Sequence, residues 1–149
     1  MGTLYLARGG SPKPTVLLLH GCPGLEQNRD LAASLRDRGR NALVFHYRGC
    51  WGSEGRYDLR TIPADVTAAV DHLQTGEYPT VDPARLAVLG HSLGGWAALL
   101  AAADDDRLRA RAGSPCRYVE VEGANHSFAW HRAQLRDLVT GWLDEVESP

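Results

Sequence analysis

The feature that most constrains this chain is the passage from residue 85 to 103. A short apolar run (RLAVLG, 85–90) leads directly into Gly90-His91-Ser92-Leu93-Gly94-Gly95, and an alanine-rich stretch of strong helix formers follows. Strand, tight turn and helix in that order is the setting in which a G-x-S-x-G pentapeptide becomes a nucleophile elbow. Such a turn needs small residues at 90 and 94, because a Cβ at either would meet neighbouring backbone. It lifts Ser92 above the strand ends with a helix N-terminus beneath it. Unpaired N–H groups and the helix dipole there favour the negative charge that develops during attack on a carbonyl. A chance pentapeptide in a glycine-rich chain would not have strand and helix agree on either side of it.

The rest of the chain builds a sheet around that turn. Residues 15–20 (TVLLLH) and 42–47 (ALVFHY) share the character of 85–90, that of strands buried on both faces of a parallel sheet. Residues 3–8 (TLYLAR) alternate and read as an antiparallel edge strand, ended by Gly9-Gly10-Ser11-Pro12. Residues 117–122 (RYVEVE) read as a fifth, more exposed strand. Helices fill the intervals. Residues 27–38 place Leu31 and Leu35 on one face and stop at Gly39. Thr61 is the expected cap of a helix with Pro63 in its first turn and a stripe of Ile62, Val66, Ala69, Val70 and Leu73. Residues 93–103 follow Ser92, and 131–146 bury Leu135, Leu138, Val139, Trp142, Leu143 and Val146. The alternation predicts a single α/β domain over 1–149, with about five mostly parallel strands in the order 1-3-2-4-5, helices on both faces and no cap domain. Ligands of such sheets gather beyond the carboxyl ends of the strands, where the candidate motifs fall.

Composition narrows the classes of function. Of the 149 residues, 44% are apolar and 23% charged, and the net charge is −2 with both signs mixed throughout, so no nucleic-acid or membrane-binding face is expected. No apolar run is long enough to span a bilayer, no secretion signal opens the chain, and Leu6 stands where a myristoylation motif needs Ser or Thr. Cys22, Cys50 and Cys116 show no C-x-x-C spacing, which argues against a disulfide framework or zinc site and for a cytoplasmic setting. His126 and His131 would need a third ligand that the sequence does not supply, so no metal and no cofactor are expected.

Two further segments complete a candidate site. His20-Gly21-Cys22-Pro23-Gly24 follows the second strand. Acyl transfer needs two backbone donors for the oxyanion; Leu93 N–H, just after the nucleophile, is one, and Cys22 N–H is the expected other. The Cys22 thiol has no evident base and is read as contributing backbone and shape. Gly123-Ala124-Asn125-His126 lies between the fifth predicted strand and the last helix, so His126 is the candidate general base. His20 and His91, beside glycines at strand ends, are read as structural, and Trp51, Trp96, Phe128 and Trp130 as possible walls or core.

With HGCPG, YRGCWGSEG, GHSLGG and EGANH in that order, the chain resembles the α/β-hydrolase superfamily, in particular its small bacterial esterases and dienelactone-hydrolase-like members. The resemblance runs from residue 15 to about 105 and resumes from about 112. It implies Ser92 as nucleophile, His126 as base, and Cys22 and Leu93 as oxyanion donors. The reaction implied is cleavage of a small-molecule ester; a non-catalytic relic with a binding or scaffolding role is the alternative.

The chain departs from that family where the catalytic acid belongs. Only residues 104–116 lie between the helix after Ser92 and the next predicted strand, and a β–α–β unit needs about 30 or more residues. Asp104, Asp105 and Asp106 follow a helix that runs away from Ser92, roughly 15–18 Å off at 1.5 Å per residue, and read as solvated. Glu122 and Glu54 are the candidate replacements, with a Ser–His dyad as the third option and a slow enzyme the expected result. Helix faces bared by the missing units predict a homodimer.

Overall fold

The computed structural model describes residues 1–22, 24, 28–108 and 117–147. The chain divides into two compact units, Met1–Ala112 and Gly113–Pro149. The first holds a sheet of β1 (Gly2–Tyr5), β2 (Lys13–Leu19), β3 (Asn41–Phe45) and β4 (Val81–Gly90) in the order β1-β3-β2-β4. As the sequence predicts for these four, β1 runs antiparallel to β3, whereas β2 runs parallel to both β3 and β4.

The order follows from where apolar side chains are concentrated. Thr15 to Leu19 of β2 are all essentially inaccessible, which is the central position of the sheet. β4 differs from the sequence expectation of a strand buried on both faces. Its residues 87–90 are only half-buried, because among the described residues it pairs on one side alone. Helix α1 (Arg29–Asp37) buries Leu31, Ala32 and Leu35, and Gly39 (φ 84°) ends it in the left-handed conformation that favours glycine. Helix α2 (Ile62–Gln74) buries Ile62, Val66, Val70 and Leu73 at helical spacing, and α3 (Leu93–Asp104) buries the small residues Gly94, Ala97 and Ala101. The crossover through α1 moves one way along the sheet and that through α2 the other, so right-handed connections put these helices on opposite faces. Leu17, Leu19, Leu43, Tyr47, Val66, Val70 and Ala97 meet in a core between the sheet and helices α2 and α3. Buried Asn41 ties strands together: its side chain accepts from Ala7 N (2.9 Å) and donates to Thr15 Oγ1 (3.1 Å) and Thr80 O (2.8 Å).

Three local expectations are corrected. Thr61 does not cap α2; its hydroxyl donates to Asp58 O (2.9 Å), and Asp58 accepts from Arg60 N (2.9 Å) at the start of a short 3-10 turn, Leu59–Thr61, that leads into the helix. Asp105 is not a solvated carboxylate. It is nearly buried, and it accepts from the backbone N of Arg107 (2.9 Å) and from its guanidinium (2.6 Å), which holds its pKa below the usual carboxylate range. The fifth strand is absent: 117–121 have no regular structure and 122–123 form a turn. Its segment carries only two aliphatics, Val119 and Val121, among charged neighbours, and Arg117 pairs with Glu145 (2.9 Å) on the last helix instead. In the second unit α4 spans Arg132–Glu147 and follows a series of turns. Among the described residues no helix is long and apolar enough to cross a membrane.

Candidate active site

Ser92 sits at the junction of β4 and α3 with φ 54° and ψ −118°, a conformation that L-residues rarely adopt. A serine before a helix ordinarily caps it through its hydroxyl from an extended backbone. Ser92 has neither that backbone nor a capping hydrogen bond, so its exposed Oγ is left for other chemistry. The turn is closed by Gly94 N to His91 O (2.9 Å), Gly95 N to Ser92 O (3.0 Å) and His91 N to Leu19 O (3.2 Å).

The two glycines predicted to be obligatory are so for identifiable contacts. A Cβ on Gly90 would overlap the Gly94 carbonyl, and one on Gly94 would overlap the Leu19 carbonyl at the end of β2. The elbow is therefore pressed against the neighbouring strand, and the loop after β2 lies against the nucleophile. A Cβ built on Gly21 would stand 3.2 Å from both Ser92 Cβ and His91 Nδ1. Leu93 is the first residue of α3, where backbone N–H groups lack an intrahelical acceptor, and none of the hydrogen bonds that close the turn uses its N–H. The structure thus brings together Ser92, Leu93 and the Gly21-Cys22 segment, with Cys22 exposed. Pro23 of the same motif lies outside the described residues.

Beneath that loop is an aromatic cluster. The His20 ring is buried, 4.3 Å from the Tyr47 ring and 5.4 Å from that of His46, and Tyr47 Oη donates to His20 O (3.1 Å). Burial lowers the pKa of His20, outweighing its hydrogen bond to the Gly21 carbonyl. Burial also lowers that of His46, helped by the charges of His20, the N-terminus and Arg29, and raises that of the Tyr47 phenol. The contribution of His20 to the loop was not apparent in the sequence; its position two residues before Cys22 was the available signal.

Glu54 lies in the loop between β3 and α2, where Gly49 N donates to its carbonyl (2.9 Å) and its side chain is exposed. His126 and Glu122 belong to the second unit. Glu122 opens a turn, and His126 lies in another in which Phe128 N donates to Asn125 O (2.9 Å) and Ala129 N to Asn125 Oδ1 (3.0 Å). Among the described residues no group of three or more His, Cys, Asp or Glu side chains could hold a metal ion.

Comparisons with known proteins agree with this geometry. Residues 16–146 match the family described as "Alpha/beta hydrolase family". An uncharacterized protein of Mycobacterium tuberculosis is 38% identical over 94 residues, 62% of this chain and 33% of the relative. The thiohydrolase apmlB of Arthrinium phaeospermum is 33% identical over 112 residues, 72% of this chain and 36% of that one. The chain thus spans about a third of the length of these curated relatives. Among solved structures, a serine hydrolase without a lid from Xanthomonas campestris superposes with a TM-score of 0.76 at 17% identity, covering 99% of this chain and 90% of that one, a likeness of fold.

Proposed function

Because this chain belongs to the alpha/beta hydrolase family, we propose that it is a serine hydrolase that cleaves small acyl esters through an acyl-enzyme on Ser92. The observation that carries this reading is the Ser92 turn: a strained, exposed serine with no capping role, over a helix N-terminus and against a second backbone loop. In the proposed reaction Ser92 Oγ adds to the ester carbonyl carbon and its proton passes to His126. The carbonyl oxygen becomes an oxyanion received by Leu93 N–H and Cys22 N–H. Collapse breaks the bond to the alcohol, which leaves with the proton from His126. Water then adds in the same way and releases the acid and Ser92.

Glu122 or Glu54 is the candidate acid; with neither, turnover is slow, since loss of the acid leaves only the oxyanion hole and binding to support the Ser–His pair. Thioesters join esters in the test panel because of the thiohydrolase relative. A homodimer remains part of the proposal, and a monomeric mass by light scattering would overturn that part.

The test is a fluorophosphonate probe together with p-nitrophenyl esters of short acids. The expected result is a covalent adduct on Ser92, absent in Ser92→Ala, with turnover in that variant down at least about 10⁴-fold. Folded protein that takes no label would instead be a non-catalytic member of the family with a binding or scaffolding role.

A further inference from the structure

We propose that His20 is a positioning residue whose ring Nδ1–H fixes the peptide that presents the Cys22 N–H to the oxyanion. The inference rests on the reading of Ser92 as nucleophile and adds a residue to that site.

His20 Nδ1 lies 2.7 Å from Gly21 O. A carbonyl oxygen only accepts, so the proton is on Nδ1 and Nε2 is left with a lone pair. Among the described residues that buried Nε2 has no hydrogen-bond partner. A leucine of similar bulk would fill the place without burying an unsatisfied nitrogen, so a purely space-filling role leaves the histidine unexplained. What the ring supplies is one directed N–H.

Its target gives that N–H its consequence. Gly21 C=O and Cys22 N–H belong to one planar trans peptide and point in opposite directions. Holding the carbonyl toward the buried ring turns the amide N–H away from it. Gly21 itself abuts Ser92, so this peptide borders the nucleophile directly. The ring cannot readily yield. Tyr47 packs on it at 4.3 Å and hydrogen-bonds the His20 carbonyl, His46 stands at 5.4 Å, and Gly24 (φ 91°) backs so closely that a Cβ there would lie 2.8 Å from Nδ1. The donor is thus set before substrate arrives, which is the condition for oxyanion stabilisation without reorganisation.

Two substitutions separate positioning from packing. His20→Leu keeps bulk and loses the donor; His20→Asn places an amide N–H near the Nδ1 position. With a p-nitrophenyl ester, His20→Leu should lower kcat about 100-fold with KM within about threefold, and slow fluorophosphonate labelling of Ser92 in step while labelling still reaches completion. His20→Asn should recover at least about tenfold of that loss. If His20→Leu loses its circular dichroism, His20→Gln, whose amide reaches the Nε2 position instead, replaces it with the same expected loss. A leucine variant within about threefold of wild type, equal losses in the leucine and asparagine variants, or a loss confined to KM would overturn the inference. Wild type that labels while His20→Leu labels equally fast sinks only this inference; folded wild type that never labels sinks the reading of Ser92 and this with it.

Discussion

The turn around Ser92 and the stretch around His126 carry the two halves of the proposed chemistry, and they are held by different physics. Around Ser92, main chain packs closely on main chain, within the turn and from distant parts of the sequence: Gly90 against Gly94, Gly94 against the Leu19 carbonyl, and Gly21 against the His91 carbonyl. Around His126 the chain is a succession of local turns. Ala124 N donates to Val121 O (3.1 Å), Phe128 N to Asn125 O (2.9 Å) and His131 N to Phe128 O (2.9 Å), and a Cβ on Gly123 would meet nothing within 4 Å. Steric over-determination from many elements can hold a strained serine in place. Hydrogen bonds among near neighbours order the turns on either side of His126.

The largest test of that contrast compares two glycines. Gly94→Ala drives a Cβ into the Leu19 carbonyl, backbone that cannot swing aside, and should destabilise the fold by about 3 kcal/mol or more. Gly123→Ala has open space and carries only the strain of φ 73°, about 1 kcal/mol. Urea unfolding followed by circular dichroism measures both, and equal shifts in midpoint would break the comparison.

The same contrast explains what could be read from the sequence. Contiguous apolar runs at 15–20, 42–47 and 85–90 marked three strands, and their parallel crossovers gave the order 1-3-2-4, because short apolar runs bounded by turns leave a one-dimensional signature even where, as in β4, burial is partial. Gly90, Ser92 and Gly94 were legible because their spacing encodes a turn that admits no other residues at the glycines. The segment 117–122 misled because alternation describes a strand's faces and says nothing of a pairing partner. Thr61 fits a capping pattern in the sequence, and only geometry shows its hydroxyl turned back to Asp58 O instead. Asp105 looked solvated in a run of aspartates until Arg107, two residues on, was seen to turn back onto it. His20 was read as structural since a hydrogen bond to the next residue's carbonyl has no sequence signature.

Acid should affect the serine side through its buried histidines. His20 and His46 both have folded pKa values below the ordinary 6.5, His20 through burial and His46 through burial first and then the charges of His20, the N-terminus and Arg29. Below about pH 6.5 the unfolded chain binds protons that the folded one refuses. Their contribution to stability is therefore complete above that pH and is lost as pH falls through it. The urea midpoint should drop between pH 7.5 and 5.5, and drop less in His46→Leu. A pH dependence unchanged by His46→Leu would remove that ring from the account.

The smallest expected effect concerns the missing acid, and it bears on the histidine side. Among the described residues no hydrogen bond or ion pair engages the carboxylate of Glu54 or Glu122. A carboxylate that orients a catalytic imidazole is normally held in place itself, since an acid free to rotate cannot fix the tautomer of its partner. Both Glu54→Gln and Glu122→Gln should therefore leave kcat within about threefold of wild type, the behaviour of a Ser–His dyad. A loss of about 100-fold or more in one variant alone, with KM unchanged, would identify that glutamate as the acid. If Glu122 is the one, the turns around His126 hold a second catalytic group, and local hydrogen bonding orders that region more tightly than its open glycine suggests. If it is Glu54, the acid comes from the loop after β3, and the serine and its acid then share the sterically determined side of the comparison.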